Sequence, residues 1–582
     1  MRRVTRTIAL VSTAVLTTAL VPSTIAATTA SWPDEEWVHG TVGTSSFACG
    51  TDEGYAATAF GRFLSGELLT QDLDSLAALN GVELDRAADG ALAVDPPTSI
   101  DQGSAPPTAT YTNPLNVSLL GGVAGIDLTG LTVGLPVGSA GAVNQYAQVS
   151  GYGTAAGASG LVSNSGGVGV TPTTPDADLP EPATVGLSTF LPAAAGITDA
   201  RLEVGAVAAS STLDWCAALR SALWGDGSVS GVVRDYGIAG LGLEIDSPLI
   251  GDLVDDVSTG LPAVQSSIDS LLGTNGLISN SISTALLARL VSGLAVGDVT
   301  GTVGLSGLDL AGSVATLLTT PLGDGVVSID LVNGTISVDL DELLGYDSTS
   351  INNLAPNSEL VLDDLVVNDL VERVGDLLDD FVTDVVTELT NEIRAATLTV
   401  DLGLRVNLLA GLVPLVAVTV DLVAPLGAVI DSTATFTVGA TALGAAIVLN
   451  PLLSPLGLTL NGLLGIVNAL APFLVSPVAN AVGTTAIGAV TTLGSTLSLA
   501  TAPIVTALSA VVGALPQVLS LMANVQPDQF GAPGDTGFEQ ADGDSSAQYL
   551  VTALRVGIAP VVPGEVASLS FATASAGPVD AP

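Results

Sequence analysis

One segment of the sequence restricts the fold more than any other: residues 432–527 contain no Asp, Glu, Lys, Arg or His. They lie in a chain of 582 residues with a formal net charge of -44. Parts of the segment, such as GLTLNGLLGIVNALAPFLVSP at 457–477, are long enough to cross a bilayer. The segment must therefore be buried either among lipid tails or against other parts of the same polypeptide.

Prolines favour the second arrangement, because a membrane-spanning helix tolerates proline only where neighbouring groups satisfy the freed backbone. They break the segment into short apolar pieces at Pro451, Pro455, Pro472, Pro477, Pro503 and Pro516. No arginine lies between Arg405 and Arg555 to orient a span. We predict an apolar helical segment at 450–525 that packs within the protein, so membrane insertion is not expected. A lipid-binding groove lined by these helices stays open as an alternative.

The N-terminus has the organisation of a secretory signal. MRRVTRTIALVSTAVLTTALVPSTIAATTA begins with three arginines in six residues, continues with an apolar stretch from Ile8 to Val21, and ends in small residues. The apolar stretch is short for a membrane span. The pattern predicts a signal peptide over residues 1–30, cleaved between Ala26 and Ser31, and an extracellular or cell-surface location.

The chain has two cysteines, Cys49 and Cys216. An even pair in an exported chain predicts one disulfide, which would close a very long loop here. Two separate buried thiols stay open as the alternative.

Short apolar runs bounded by Gly, Asn and Pro predict a β-rich N-terminal region at 31–245. Residues 246–355 predict helices followed by a β-hairpin. The first helix should start at Pro248 with Ser247 as its cap, and the hairpin VVSIDLVNGTISVDL should turn at Asn333-Gly334 in a type I′ turn.

Residues 356–449 predict a long amphipathic helix followed by strands. Apolar residues recur at threes and fours, with acidic residues opposite, at Leu370, Val374, Leu377, Phe381, Val385, Leu389 and Ile393. This stripe is expected to pack on a neighbouring sheet. Residues 526–582 predict an acidic loop and C-terminal strands. The fold class is therefore α+β, with β-rich N- and C-terminal parts, long amphipathic helices packed on antiparallel sheets, and the apolar helical segment.

The charge balance restricts the partners. All 13 basic residues are arginines, against 57 Asp and Glu, so the surface would repel nucleic acid. Calcium stays open as an alternative, because divalent cations bind clustered carboxylates such as Asp535, Glu539, Asp542 and Asp544. These residues lack the 12-residue calcium-loop pattern, and a solvated acidic loop is the simpler interpretation.

Catalytic chemistry has few candidate residues. His39 is the one histidine, no lysine occurs, and no HExxH motif or paired Cys/His metal pattern is present. We therefore predict no enzyme activity, no catalytic residues, and no cofactor or metal. A pair of carboxylates could still serve a glycosidase, and the sequence does not nominate one.

Three groups of residues resemble the choice-of-anchor G family of actinobacterial proteins. They are EEWVHGTVGTSSFACGTDEGYAATAFGRFLSGEL, then YTNPLNVSLL with AVNQYAQVSGYGTAAGASGLVSNSGGV, and finally YLVTALRVGIAP with EVASLSFATASAGPV. The resemblance covers residues 31–582 and implies export to a Gram-positive surface through a C-terminal anchoring signal. The sequence departs from that pattern, since no LPxTG motif, apolar tail or basic stop precedes Pro582. Three alternatives stay open: the protein is released, is held non-covalently, or has its anchor outside this sequence.

The resulting hypothesis is an exported, non-catalytic structural or adhesive protein of the cell surface. Its partner is unknown and could be a cell-envelope component or another surface protein. The alternatives are an extracellular lipid- or hydrophobe-binding protein and a secreted carbohydrate-active enzyme.

Overall fold

The computed structural model describes residues 51, 53–68, 71–72, 80–115, 125–128, 131–134, 143–171, 174, 179–224, 230–290, 294–408, 413–444, 459–533, 548–558 and 567–581. The chain divides into two units, Met1–Phe47 and Ala48–Pro582. The first lies outside the described residues, together with the predicted signal peptide. All elements below belong to the second unit.

The described strands, in chain order, are β1 Ala56–Leu68, β2 Gln71–Asp72, β3 Val82–Arg86, β4 Leu92–Asp95, β5 Ile100–Asp101, β6 Thr108–Thr112, β7 Gly125–Leu128, β8 Leu131–Gly134, β9 Asn144–Ser150, β10 Thr154–Gly160, β11 Ala183–Gly186, β12 Asp199–Val204, β13 Val207–Asp214, β14 Val232–Ile238, β15 Leu241–Asp246, β16 Leu294–Ser306, β17 Leu322–Gly323, β18 Val327–Asp330, β19 Thr335–Asp339, β20 Ser358–Leu360, β21 Thr397–Leu408, β22 Val413–Pro425, β23 Thr437–Ala442, β24 Leu519–Val525, β25 Tyr549–Ile558 and β26 Ala567–Asp580.

The described helices are α1 Trp215–Trp224, α2 Pro248–Asp269, α3 Leu277–Leu287, α4 Leu310–Val314, α5 Leu340–Leu343, α6 Asp364–Ala395, α7 Leu426–Ile430, α8 Leu460–Asn468, α9 Ala471–Val482, α10 Gly488–Val512 and α11 Leu515–Val518. A 3-10 turn, Ile351–Asn353, precedes β20, and a π-helical turn, Gly483–Ile487, joins α9 to α10.

Helices and antiparallel sheets are both extensive, which confirms the predicted α+β class. The strands form four sheets. Sheet A has the order β20-β24-β25-β26-β1-β3-β4, with β2 beside β1; sheet B is β14-β13-β10-β9-β6-β5; sheet C is β17-β18-β19-β15-β12-β11-β8-β7; sheet D is β16-β21-β22-β23.

Sheets A and B pack face to face through small side chains. The strands at their interface read TAAGASG in β10 and SFATASAG within β26, so little more than backbone separates the layers. A Cβ atom on Gly157 would lie 2.1 Å from the Phe60 carbonyl oxygen, and one on Gly61 would lie 2.1 Å from that of Ala158. This close approach explains why alanine and glycine are frequent in the N- and C-terminal strands.

Sheets B and C share two long, bent strands. Gly205 and Ala206 separate β12 in sheet C from β13 in sheet B, and Ala239 and Gly240 separate β15 from β14 in the same way. The two bends meet where the Gly205 amide donates to the Gly240 carbonyl oxygen over 2.9 Å. The joint between the sandwich and the rest of the fold is therefore made by paired two-residue crossings.

The predicted hairpin is confirmed as β18 and β19, which join sheet C beside β15. Its six apolar residues are all buried: Val327, Ile329, Leu331, Ile336, Val338 and Leu340. The predicted type I′ turn is wrong, because that turn needs positive φ at both central residues and only Gly334 has it, at 73°. The loop is instead closed by Asp330, whose carboxylate accepts from the Val332 and Asn333 amides.

The predicted helix start at Pro248 is also confirmed, but Ser247 does not cap it with its side chain. Its hydroxyl donates to the Gly196 carbonyl oxygen over 2.7 Å.

The long amphipathic helix is confirmed as α6, with the acidic residues on its exposed face. Its buried stripe includes the predicted residues except Leu377, which is half-buried while Leu378 is fully buried. The expectation that this stripe lies on a sheet is wrong in part, because its principal neighbour is helix α10. Sheet D lies beside these helices, where α3, α7 and α8 contact its strands.

The uncharged segment forms helices α8–α11 that bury one side against α2, α3, α6 and α7. Two of the prolines were predicted to break helices and do not: Pro477 lies inside α9 and Pro503 inside α10. Proline at 503 removes the amide that would bond the Leu499 carbonyl, and Leu499 is 76% exposed, so water can solvate that carbonyl. The last part of the segment is strand, because Leu519–Val525 pairs with β20 and β25.

One described stretch, Ala471–Val518, is long and apolar enough to cross a membrane by length and composition, and 39% of its most apolar window is buried inside the protein.

Candidate functional site

Helices α2, α3 and α6–α11 pack together as one helical layer. The candidate site is the exposed side of this layer, where α10 lies against α6. Gly494 permits the close approach, since a Cβ atom there would lie 2.5 Å from Cγ2 of Val386. On the other side of α10, Leu493 fills the space above Gly260 of α2, at 2.3 Å from where a Cβ would be. Small residues at both crossings therefore hold α10 between α2 and α6.

The exposed face of α10 carries hydroxyl groups and no charge. Its threonines and serines donate to the carbonyl oxygens one turn earlier in the helix: Thr491 to Ile487, Thr492 to Gly488, Ser495 to Thr491, Thr496 to Thr492 and Thr506 to Ala502. Because these five donors are satisfied within the helix, their part of the face can lose water without leaving an unpaired O–H group.

A shallow groove of about 580 Å³ runs between the two helices. Val382 and Val386 of α6 and Gly494 of α10 contribute its apolar surface. Leu499 is also aliphatic, and the remaining lining carries hydroxyl groups: Thr383, Thr387, Thr491, Ser495 and Ser498. The groove thus combines aliphatic surface with hydroxyl-bearing edges and contains no ionisable group.

Carboxylates border the groove on the α6 side. Asp379 and Asp380 precede Thr383 by four and three residues, so they share its side of the helix one turn away. Both are exposed, and neither forms an ion pair with another described residue. The uncharged groove therefore opens beside negative charge.

Arg289 places a cation elsewhere on this layer. The Arg289 guanidinium, just after α3, stacks over the Phe473 ring of α9 with its carbon 3.7 Å from the ring centroid. This cation–π contact covers part of an aromatic ring that is otherwise 44% exposed.

Of the residues that the sequence suggested as sites, the structure describes Cys216. Cys216 is buried in α1, with its sulfur 3.6 Å from the Tyr55 hydroxyl oxygen. Cys49 lies outside the described residues, so the disulfide stays a prediction. His39 and the four carboxylates of the acidic loop also lie outside them. Among the described residues, no three or more His, Cys, Asp or Glu side chains are grouped to hold a metal ion.

Sequence reasoning missed Asp341, a buried carboxyl at the joint between sheets B and C. Its Oδ1 accepts from the Leu241 amide over 2.7 Å, and the side chain is 7% exposed. Burial raises the pKa of Asp341 to about 7, the Leu241 amide opposes that rise, and the charge of Asp339 adds to it. Nothing in the local sequence distinguishes this aspartate, because its burial depends on β15, about a hundred residues earlier in the chain.

Sequence reasoning also missed an ionic cluster on the open face of sheet C. Arg201 forms ion pairs with Asp199, Glu244 and Asp246. Burial and the neighbouring Glu244 carboxylate raise the pKa of Glu203, which is hydrogen-bonded to Glu244. These carboxyl groups touch, whereas glycosidase pairs stand about 5 Å or more apart. The pair is therefore a poor candidate for glycoside hydrolysis.

A comparison with protein families gives one match, described as Domain of unknown function (DUF8394), over residues 59–577. The matched residues run from β1 into β26 and include strands of all four sheets. The chain belongs to this family. No curated protein and no solved structure matches it.

The match to the DUF8394 family covers nearly all of the architecture described above. Both sides of the α6–α10 groove and the sheet joint at Asp341 lie within the matched residues. The family description gives no activity.

Proposed function

We propose that this protein is an exported, non-catalytic component of the cell surface that acts through contact, in a structural or adhesive role. The N-terminal signal pattern supports export, and the resemblance to the choice-of-anchor G family supports a surface location. Envelope components or other surface proteins are the partners that such a role implies.

The observation that carries the proposal is the arrangement of sheet A. Ala56 at the start of β1 pairs with Asp580 at the end of β26, so both strands reach the same end of the sheet. At the opposite end, Leu68 pairs with Ala567, and Ala567 with Ile558. Ile558 also pairs with Leu519, which directly follows helix α11.

The helical layer is therefore connected to sheet A at the end away from Ala56 and Asp580. The 13-residue strand β1 separates the two ends by about 40 Å at roughly 3.3 Å per residue. Attachment to the envelope at the Ala56–Asp580 end would leave the helical layer's connection to sheet A about that distance away, which supports a contact role for that layer.

Cell fractionation tests the proposal. An antibody to the mature protein should detect it in the medium or the wall fraction of native cells, with an N-terminus between Ala26 and Ser31. A cytoplasmic protein probed on the same blot controls for lysis. Recovery from the cytoplasm, or from membranes only after detergent, would refute export to the surface in this form.

A second candidate, extracellular binding of a lipid or another hydrophobe, is favoured by the aliphatic surface of the groove between α6 and α10. Protein expressed without residues 1–30 should then carry lipid through purification, detected by extraction and mass spectrometry. Extracts no richer in lipid than those of a variant with Ser495→Arg in the groove would contradict this candidate.

A further inference from the structure

We propose that the groove between α6 and α10 binds a basic amphipathic α-helix of a partner protein. The inference deepens the proposed function and rests on it for the setting, since it names the chemistry of the partner that the helical layer would contact.

The shape of the groove fits one face of a helix. Its lining on α10 extends from Thr491 to Leu499, which is about two turns, or roughly 12 Å at 1.5 Å per residue. Helices present contact residues at i, i+3, i+4 and i+7, which covers the same length. Leu499 and the Val386 side chain offer aliphatic contact at positions that a leucine-bearing face could match.

Two of the hydroxyls that line the groove do not oppose such burial. The hydroxyls of Thr491 and Ser495 already donate to helix carbonyls over 3.0 and 2.9 Å. An aliphatic side chain placed over them would leave no donor unsatisfied. These two positions accordingly behave as apolar surface when they are covered, and the hydroxyls of Thr383, Thr387 and Ser498 remain to bond polar groups of the partner.

The negative charge beside the groove favours one kind of occupant over the others. Asp379 and Asp380 border the groove without an ion-pair partner among the described residues, and the whole chain carries -44. A helix with Lys or Arg beside its apolar face would meet these carboxylates favourably and would be attracted at long range. A second copy of the chain would bring the same carboxylates into repulsion. The same carboxylates would repel an anionic lipid surface, and α9–α11 have no Lys or Arg to attract one.

The contact is about two turns long, so we expect weak, transient binding of the kind found for interfaces below about 1,200 Å². The probe is a synthetic Leu/Lys peptide of about 18 residues, or five turns, with the leucines on one face. A peptide of the same composition with scrambled order is the control for charge alone. Binding to the mature chain is measured by fluorescence anisotropy.

Two matched variants locate the binding. Ser495→Arg places bulk and positive charge in the groove, whereas Ser509→Arg makes the same change on the exposed side of the same helix outside it. We expect Ser495→Arg to weaken binding at least about tenfold and Ser509→Arg less than about threefold. Circular dichroism and Tm of both variants should match the unaltered chain, since both positions are exposed.

Equal weakening by the two variants would overturn the inference, because binding would then depend on overall charge. Equal binding of the scrambled peptide, or no binding, would do the same. Dimerisation of the chain in sedimentation experiments that Ser495→Arg abolishes would assign the groove to a second copy instead. Vesicle binding lost in that variant would assign it to lipid. All these results are independent of fractionation, which tests the export part of the proposed function separately.

Discussion

Asp341 places an ionisable group where two sheets meet. Its carboxyl oxygen accepts a hydrogen bond from the Leu241 amide, next to the residues where the chain crosses between sheets B and C. Burial raises its pKa to about 7, above the ordinary value near 4 of an unfolded chain. The folded state therefore binds the proton more tightly. Its stabilising contribution is complete below about pH 4 and is lost as the pH rises through about 7.

Asp341→Asn should remove this dependence. The variant keeps an oxygen acceptor for the Leu241 amide but has no charge to bury. Its free energy of unfolding at pH 8 should exceed that of the unaltered chain by on the order of 1–3 kcal/mol. The difference should shrink toward pH 4, as measured by urea unfolding across that range. An unchanged pH slope, or the same change from the exposed Asp380→Asn, would contradict this assignment.

Gly157 shows a different constraint at a single residue, since a Cβ there would lie 2.1 Å from the Phe60 carbonyl oxygen and 2.4 Å from that of Ser575. Gly157→Ala should force sheets A and B apart and lower the free energy of unfolding by about 1–3 kcal/mol. Gly251→Ala in helix α2 is the matched control. Nothing lies within 4 Å of its added Cβ, so it should stabilise by about 0.5–1 kcal/mol. Thermal unfolding of the pair should give Tm shifts of opposite sign.

At the scale of elements, local patterns predicted what local forces decide. The alternation in β18 and β19 identified six buried residues correctly, and the three-to-four spacing identified α6. The same spacing placed Leu377 in the stripe where Leu378 is fully buried, because 3.6 residues per turn drifts over a long helix. The hairpin loop was predicted wrongly, because the Asp330 carboxylate accepts hydrogen bonds from the Val332 and Asn333 amides and the type I′ turn at Asn333-Gly334 does not form.

Proline positions in the uncharged segment were the least predictable from sequence. A proline ends a helix only if the lost hydrogen bond and the ring cannot be accommodated, and this depends on exposure in the folded protein. Pro503 lies on the solvent side of α10, opposite the buried contacts with α2 and α6. The tertiary contacts hold the helix together across a residue that would interrupt it in isolation.

Pro503→Ala should therefore stabilise the protein. Restoring the amide to the Leu499 carbonyl should raise the free energy of unfolding by about 1–3 kcal/mol, less the entropy that the unfolded chain regains. Pro516→Ala, in the first turn of α11 where no helix bond is lost, should change it by less than about 0.5 kcal/mol. Urea unfolding compares the two. A destabilised Pro503→Ala variant would show that the kink itself is needed for packing.

At the scale of the whole molecule, the sequence indicated the α+β class but neither the sheet orders nor the groove. Sheet A joins strands from both ends of the described chain. The groove joins α6 to α10, which are separated in the sequence by β21–β23 and two further helices of the uncharged segment. Pairings over such separations leave no periodic mark in the sequence. The uncharged segment did predict that an apolar helical layer exists, and its contacts decided which side stays exposed.

The Cys49–Cys216 bond is the whole-molecule prediction that remains to be tested. Peptide mapping of the exported protein without reductant should recover a single species linking the two cysteine peptides. Cys216→Ala should then lower the free energy of unfolding by about 2–5 kcal/mol, relative to Ser221→Ala in the same helix. Alkylation of both cysteines in denatured, unreduced protein would instead support two separate thiols.

The pairing of β1 with β26 also has a consequence for how the molecule reaches its native state. Residues 56 and 580 are neighbours across the sheet, so the central contact of sheet A joins almost the most distant parts of the described chain. Contacts of such high sequence separation slow folding, because the loop entropy is lost before the contact stabilises anything. Sheet A therefore cannot close until its last strand has been synthesised, whereas the strands of sheets B, C and D all precede it in the chain.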